Sequence, residues 1–546
     1  MVFLNADHII TPLGDGVREN IEAIKHGKTC LSLHEEVHGQ QLVVPAMASI
    51  IDETRYQIDG YTLFESLCIH SIAEAQKKST VSLNDARTVF ILSSTKGDIF
   101  PSMAETAKHI ATYFGNSNKP IVVSNACTSG VSAQLTGWRL IESGAYDNVA
   151  VVGCDVQCEF IVSGFQSFHA LSSKQCKPFD AERDGLNAGE AAACMILSNK
   201  ATGKCWQLLG GSIHNDANHI SGPSRTAEGS LRCLEDMKQY VPAEDVAFVS
   251  VHGTGTLYND EMESIAIHRA GLQGVPVTGL KGYYGHTMGA AGLLETILSI
   301  YALDEGIILP TKGYSVQGTT YELSLSADVR HTNKKSFIKL LSGFGGINAA
   351  VAWRLYSPEH QDRLEYRQDS LEGWRNVAEV SIDKTEDIVA TYRETVGDYP
   401  KFFKMDMLSK LGFVAMEKLV EKARIAEPGF KLDAENAVVI VANRSSSLKN
   451  DLDYIETIKD KNNYFPSPSL FVYTLPNIVA GEIAIRHKLF GETACYVLDD
   501  EQCMSAVIQS TTMSMADATQ IVAAWIECSS STEYNAHIYL LKKEEI

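Results

Sequence analysis

The chain has 546 residues, room for about three domains or for one large core with an appendage. Hydrophobic residues make up 45% and charged residues 21%, with 40 glycines and 15 prolines, which excludes collagen-like and disordered chains. Forty-seven basic against 67 acidic residues leave a net charge of −20, which argues against a long-range field that collects nucleic acid or anionic membrane but leaves room for a local basic patch facing an acidic partner.

The 12 cysteines are scattered, with no CxxC pair and no Cys/His cluster at zinc spacing, so reduced thiols in a cytoplasmic protein fit better than a disulfide framework or a structural metal site. The start lacks the basic segment and apolar core of a signal peptide, and no run of about 18 apolar residues occurs, so neither targeting nor a membrane span is expected.

Short apolar runs alternate with helical patterns through the first part of the chain, which argues for an α/β architecture. Strands are predicted over 88–93, 121–124 and 149–153, with helices over 101–114 and 130–143 between them. Further strands are predicted over 246–251 and 337–341, and a buried helix rich in small residues over 289–303. Composition then shifts, because 359–398 is richly charged and low in glycine. This divides the chain into a domain over 1–357, a charged surface connection carrying a helix or two over 358–400 and a C-terminal segment over 401–546.

That last segment repeats the first quarter of the chain. Residues 437–447 match 88–95, 476–491 match 101–115, and 521–527 match 149–155, the last pair fixing an offset of 527 − 155 = 372.

The strongest chemical signal is the stretch 121–130, Ile-Val-Val-Ser-Asn-Ala-Cys-Thr-Ser-Gly, a strand that breaks at Cys127 and turns into a helix. At a helix N-terminus the unpaired N–H groups and the positive dipole end favour thiolate, and the backbone N–H of the same residue can face a developing oxyanion. Alone, such a cysteine is more often a core residue. It has company. His252 ends the apolar strand 246–251 and opens the loop His-Gly-Thr-Gly-Thr, whose Thr254 and Thr256 offer hydroxyls along the space that glycine leaves. His286 stands just before the helix 289–303, where a histidine is biased toward its neutral form and can donate an N–H to a carbonyl oxygen. Lys281 lies five residues upstream. The run Ser-Gly-Phe-Gly-Gly-Ile-Asn-Ala at 342–349 reads as a tight turn with Phe344 at its tip, a pattern that a plain glycine hairpin shares.

These four blocks, in this order and spacing, resemble those of β-ketoacyl-acyl-carrier-protein synthases over about residues 1–357. Ile-Thr-Pro-Leu-Gly at 10–14, Lys-Pro-Phe-Asp at 177–180, Arg-Asp-Gly at 183–185 and Gly189-Glu190 extend the likeness. The resemblance implies a thiolase-like α/β fold of five layers, αβαβα, built from two similar halves with Cys127, His252 and His286 as the catalytic set between them. Two histidines mark the elongating type rather than the acetyl-CoA-priming type. The implied chemistry moves an acyl group from acyl carrier protein to Cys127, with the N–H groups of Cys127 and Phe344 holding the oxyanion. His252 and His286 then donate to the thioester carbonyl of malonyl-carrier protein as it decarboxylates. By the same resemblance Lys281 supports the histidines with Glu295 as its ionic partner, Thr254 and Thr256 line the phosphopantetheine tunnel, and Phe344 gates the cysteine. No metal or redox cofactor is implied, the substrates being carried on the phosphopantetheine of acyl carrier protein.

Two departures stand out. Only residues 95–100 remain where the family usually carries a long segment, whereas the repeat keeps that segment over 447–475. At the offset of 372, Cys127 corresponds to Asp499, with Cys495 as the weaker alternative, and no second set of histidine and glycine blocks follows. The repeat is therefore expected to be inert, and it cannot bury both faces of a sheet alone. It is expected to lie on the synthase domain or another subunit, imitating the partner half of a synthase dimer, with homodimer, heterodimer and intrachain pseudo-dimer all open. The leading function is a condensing enzyme of a fatty-acid, polyketide or aryl-polyene-like pathway. The alternatives are a non-elongating chain-length-factor-like or scaffold partner and a malonyl-carrier-protein decarboxylase for priming, both disfavoured by the intact Cys-His-His set.

Overall fold

The apolar runs become strands of one 16-stranded mixed sheet in a computed structural model that describes residues 1–356, 373–515 and 517–544. The first five strands used below are β1 (Val2–Thr11), β2 (Thr88–Ser93), β3 (Ile121–Val123), β4 (Asn148–Asp155) and β5 (Ala191–Ser198). The next five are β6 (Trp206–Asn215), β7 (Val246–Ser250), β8 (Val277–Thr278), β9 (Ser336–Gly343) and β10 (Ile347–Leu355). The last five are β11 (Trp374–Ile382), β12 (Ala437–Asn443), β13 (Thr493–Val497), β14 (Gln520–Cys528) and β15 (Tyr534–Lys543). Across the sheet they run β8-β7-β9-β10-β6-β1-β5-β4-β2-β3-β13-β12-β14-β15-β11.

The first two groups touch only where Val2 and Phe3 pair with Leu208 and Gln207, so they behave as two stacked sheets joined at a corner. Helix α1 (Leu63–Gln76) covers β1, β4 and β5 from outside, α2 (Ser129–Glu142) and α3 (Ala291–Asp304) fill the space between the sheets, and the helix Glu228–Met237 covers β6 and β10. This is the expected αβαβα stack. The two middle helices meet backbone to backbone at their first turns, because a Cβ on Gly292 would lie 2.5 Å from the Val131 nitrogen and one on Gly130 would lie 2.9 Å from the Gly289 carbonyl oxygen. Glycine at both positions lets the start of α2, just after Cys127, approach the start of α3, which follows His286.

The C-terminal strands mirror the first five. The order β1-β5-β4-β2-β3 continues outward as β13-β12-β14-β15-β11, with β3 and β13 antiparallel at the centre through the pairs Val123–Tyr496 and Val122–Val497. Helix α4 (Met407–Ala426) covers β11, β14 and β15 as α1 covers β1, β4 and β5, and α5 (Met504–Ser514) lies against α2 in the middle layer. The repeat is thus more complete than sequence alignment indicates, and one boundary changes. Residues 374–382, read from sequence as part of a surface connection over 358–400 that carries a helix or two, are a strand paired with β15, and the helix that follows over 388–395 lies against α4. Charge misled because β11 lies at the sheet edge and alternates buried with exposed residues. The part of that connection over 358–372 lies outside the described residues.

The two copies are joined by buried polar contacts as well as by the sheet. Arg139 of α2 makes a bidentate pair with Glu492, both bonds 2.7 Å, with neither side chain more than 3% exposed. Lys96, just beyond β2, reaches into the C-terminal copy to pair with Asp451 and to donate to the Ser447 hydroxyl and the Thr474 carbonyl. The chain's own C-terminal copy therefore covers the free edge of β3, an intrachain pseudo-dimer.

Candidate active site

Cys127 sits in a single 3₁₀ turn, Ala126–Thr128, between the end of β3 and the start of α2. Ala126 holds φ at +49°, the sharp reversal that lifts the thiol out of the strand direction. His252 lies two residues beyond the end of β7, and its N–H and that of Gly253 are both held by the Glu263 carboxylate at 2.7 Å. Asp260, one turn earlier on the helix Leu257–Arg269, takes the N–H groups of Thr254, Gly255 and Phe179. Two carboxylates thus shape the whole His-Gly-Thr-Gly-Thr loop. His286 is fixed by its own N–H, which donates to the Asn187 carbonyl at 2.7 Å, and by Asp155, which binds the Gly289 N–H at 2.6 Å together with Thr95 and the Ser94 hydroxyl.

These elements bring Cys127, His252 and His286 together: the thiol sulfur and one nitrogen of each imidazole lie within 4.8 Å of one another, with the two rings 5.0 Å apart and nearly perpendicular. The Met288 N–H donates to His286 Nδ1, which places the ring proton on Nε2, and that Nε2 is buried with no partner among the described residues, as is His252 Nδ1. Lys281 donates to the His252 carbonyl at 2.6 Å and to Glu295 at 2.9 Å. Lys339, which sequence reading missed, pairs with the other Glu295 oxygen and donates to the Val251 carbonyl.

Burial sets the protonation states. Both imidazoles are pushed well below their ordinary range by desolvation, then by the charge of Lys281, Lys339 and, for His252, the other histidine. Desolvation raises the Glu295 carboxyl, but the two lysines outweigh it and hold the group below its usual value. Desolvation also lowers Lys339 to about 8. Cys127 corrects the sequence expectation of a favoured thiolate: burial pushes its thiol up to about 12, against the pull of Lys281. Cys127, His252 and His286 also make the one compact set of three potential metal ligands among the described residues.

A cavity of about 380 Å³ opens over the thiol, lined by Thr254, Thr256, His252, His286 and Phe344, with Leu257 and Tyr258 exposed at its mouth. The Phe344 N–H donates to no group among the described residues. All eight residues singled out from sequence therefore gather at or just behind this cavity. Those missed are Asp155, Asp260, Glu263 and Lys339. The signals were present, since Asp260 and Glu263 stand three apart on the helix that follows the loop, and Lys339 interrupts an otherwise apolar strand. The turn before α5, where the repeat would carry its nucleophile, holds Cys503 bonded to Asp500 with no histidine set around it among the described residues, and Cys495 lies within β13.

A layered thiolase-like stack with a Cys-His-His cavity between its halves defines a class of carbon–carbon bond-forming acyltransferases. Residues 66–202 match the N-terminal domain of β-ketoacyl synthases and residues 207–315 their C-terminal domain, and the chain belongs to that family as a condensing acyltransferase. Nodulation protein E of Rhizobium meliloti (strain 1021) is 26% identical over 377 residues, covering 61% of this chain and 93% of that protein. The 3-oxoacyl-[acyl-carrier-protein] synthase 2 of the same organism is 32% identical over 258 residues, 43% of this chain and 60% of that one. Among solved structures, the PfaC keto synthase–chain length factor superposes with a TM-score of 0.77 at 13% identity, covering 99% of this chain and 78% of its own. The Xenorhabdus doucetiae ketosynthase ApeO, solved with its chain length factor ApeC, gives 0.59 at 22% identity over 65% of this chain and 98% of its own. No helix among the described residues is long and apolar enough to cross a membrane.

Proposed function

We propose that the chain condenses malonyl-carrier protein with an acyl group held on Cys127, and that residues 374–544 take the structural place of a synthase's partner subunit. The observation that carries this reading is the meeting of one thiol and two neutral imidazoles in a cavity that also presents a free backbone N–H.

In the first step the Cys127 sulfur attacks an acyl-carrier thioester while a neighbouring imidazole takes its proton. The negative oxygen sits against the N–H groups of Cys127 and Phe344, and the proton passes to the departing pantetheine sulfur. In the second step the malonyl thioester carbonyl takes hydrogen bonds from the two imidazoles, the carboxylate leaves as carbon dioxide, and the enolate carbon attacks the acyl-cysteine. The Cys127 sulfur departs and recovers a proton. Thr254 and Thr256 line the path of the pantetheine arm. The chemistry needs no metal or redox cofactor, and the partner is an acyl carrier protein.

The likeness of nearly the whole chain to a keto synthase–chain length factor structure supports the place given to the C-terminal copy. Incubation with acyl-carrier protein followed by mass spectrometry should show one acyl group on Cys127, and addition of malonyl-carrier protein should convert it to a β-ketoacyl product. An unlabelled Cys127 in folded protein would favour the non-elongating partner. Carbon dioxide release with no chain extension would favour the decarboxylase.

A further inference from the structure

Asn477 belongs to the C-terminal copy, at the N-cap of the helix Ile478–His487. An asparagine there ordinarily turns its side-chain oxygen back onto the first helical N–H groups. This one makes no such bond. Its Nδ2 instead donates to the Phe344 carbonyl at 2.7 Å, and its Oδ1 is left buried without a partner among the described residues. A forfeited cap and an orphaned acceptor are two costs borne by one side chain, and the contact with residue 344 is what they leave in place.

The surrounding backbone is shaped to the same contact. Gly345 holds φ at +90°, and a Cβ there would lie 2.6 Å from Asn477 Nδ2; a Cβ on Gly481, one turn along the helix, would lie 2.6 Å from the Gly345 oxygen. Gly345 is tied separately, its N–H to the Ile220 carbonyl and its oxygen to Asn215, which also donates to Thr493 of the C-terminal copy. The Phe344 carbonyl has Asn477 as its one hydrogen-bond donor among the described residues.

We propose that Asn477 is a positioning residue for the condensing site: by anchoring the carbonyl of Phe344 it aims the N–H of the same residue at the oxyanion, so that the C-terminal copy completes the oxyanion hole of the first. This rests on the condensing reading of the Cys127 cavity. One misplaced oxyanion donor costs on the order of 10²-fold, whereas direct alkylation of the thiol by a small reagent uses no oxyanion hole.

The test uses the full chain and two variants, Asn477→Ala and the isosteric Asn477→Asp, which keeps the shape but has no N–H to donate. Acylation of Cys127 by acyl-carrier protein in a single turnover should slow on the order of 10- to 100-fold in both, while iodoacetamide alkylation of Cys127 stays within about twofold of wild type. Acylation within about twofold of wild type overturns the proposal. So does a parallel slowing of both reactions, which marks a merely structural contact. If the alanine variant does not fold, the aspartate variant decides alone, and if neither folds the role is structural and the proposal fails. Absence of acylation in the wild-type chain overturns the condensing reading itself and takes this inference with it.

Discussion

At the scale of single residues, the site separates groups that react from groups that hold them, and their visibility in sequence follows that division. Cys127, His252, His286 and Phe344 stand in glycine-rich turns at strand ends, where polar residues interrupt apolar runs and announce themselves. Lys339 does not, because it lies inside a buried strand and its partner Glu295 comes from 44 residues away. A lysine in a strand is legible as an anomaly but not as a pair. The geometry gives a sharp expectation for Cys127. With the thiol pushed up to about 12 by burial, its thiolate fraction, and so its rate of alkylation by iodoacetamide, should rise about tenfold per pH unit from 7 through 10 with no plateau near the ordinary value of about 8.5. A plateau between pH 8 and 9 would show that Lys281 wins over desolvation. Glu295 gives a second expectation. Replacing it by glutamine strands two buried lysines and should cost about 3–5 kcal/mol of stability by denaturant titration. Adding Lys339→Met should restore part of that loss, and strict additivity of the two changes would deny the pairing.

At the scale of elements, the alignment of apolar runs found an equivalence deeper than the runs themselves. The offset of 372 equates Asp155 with Glu527, and the two carboxylates do the same work at the ends of β4 and β14. Asp155 binds the Thr95 N–H and the Ser94 hydroxyl beyond β2; Glu527 binds the Arg444 N–H and the Ser445 hydroxyl beyond β12. The same alignment missed β11 because it alternates buried with exposed residues at the sheet edge, whereas its counterpart β1 is buried almost throughout and offers a different apolar pattern to match. The segment over 447–475, kept only in the repeat, has a visible use. Its short helix Pro468–Val472 sets the Phe471 ring against Gly164 and among Phe160, Phe165, Phe168 and Tyr454, directly behind the inner wall of the Cys127 cavity. Phe471→Ala should cost about 3–5 kcal/mol and raise kcat/KM for longer acyl primers relative to shorter ones. An unchanged ratio across a primer series would place the acyl chain elsewhere.

At the scale of the whole molecule, the mirrored sheet explains why one chain carries one and a half copies of a fold. A synthase-like stack ends at β3 with an open strand edge, and an open apolar edge invites pairing with another chain. Here β13 closes that edge, α5 covers the same face of α2, and Arg139 with Glu492 fixes the register by a buried bidentate pair that neither copy can satisfy alone. A chain cut after Tyr356 should therefore expose β3, the face of α2 and an unpaired buried arginine together. Losing one member of such a pair costs about 3–5 kcal/mol, and the uncovered apolar surface adds to it. The truncated protein should aggregate or associate on size-exclusion chromatography, and supplying residues 373–546 as a separate chain should return it to solution with activity. Glu492→Ala in the intact chain isolates the charge from the surface: it should lower stability by the same 3–5 kcal/mol without changing the oligomeric state, because the sheet pairing survives. A truncated chain that stays monomeric, soluble and fully active would mean that the first copy needs no partner half, and the C-terminal copy would then have to be explained by something other than completing it.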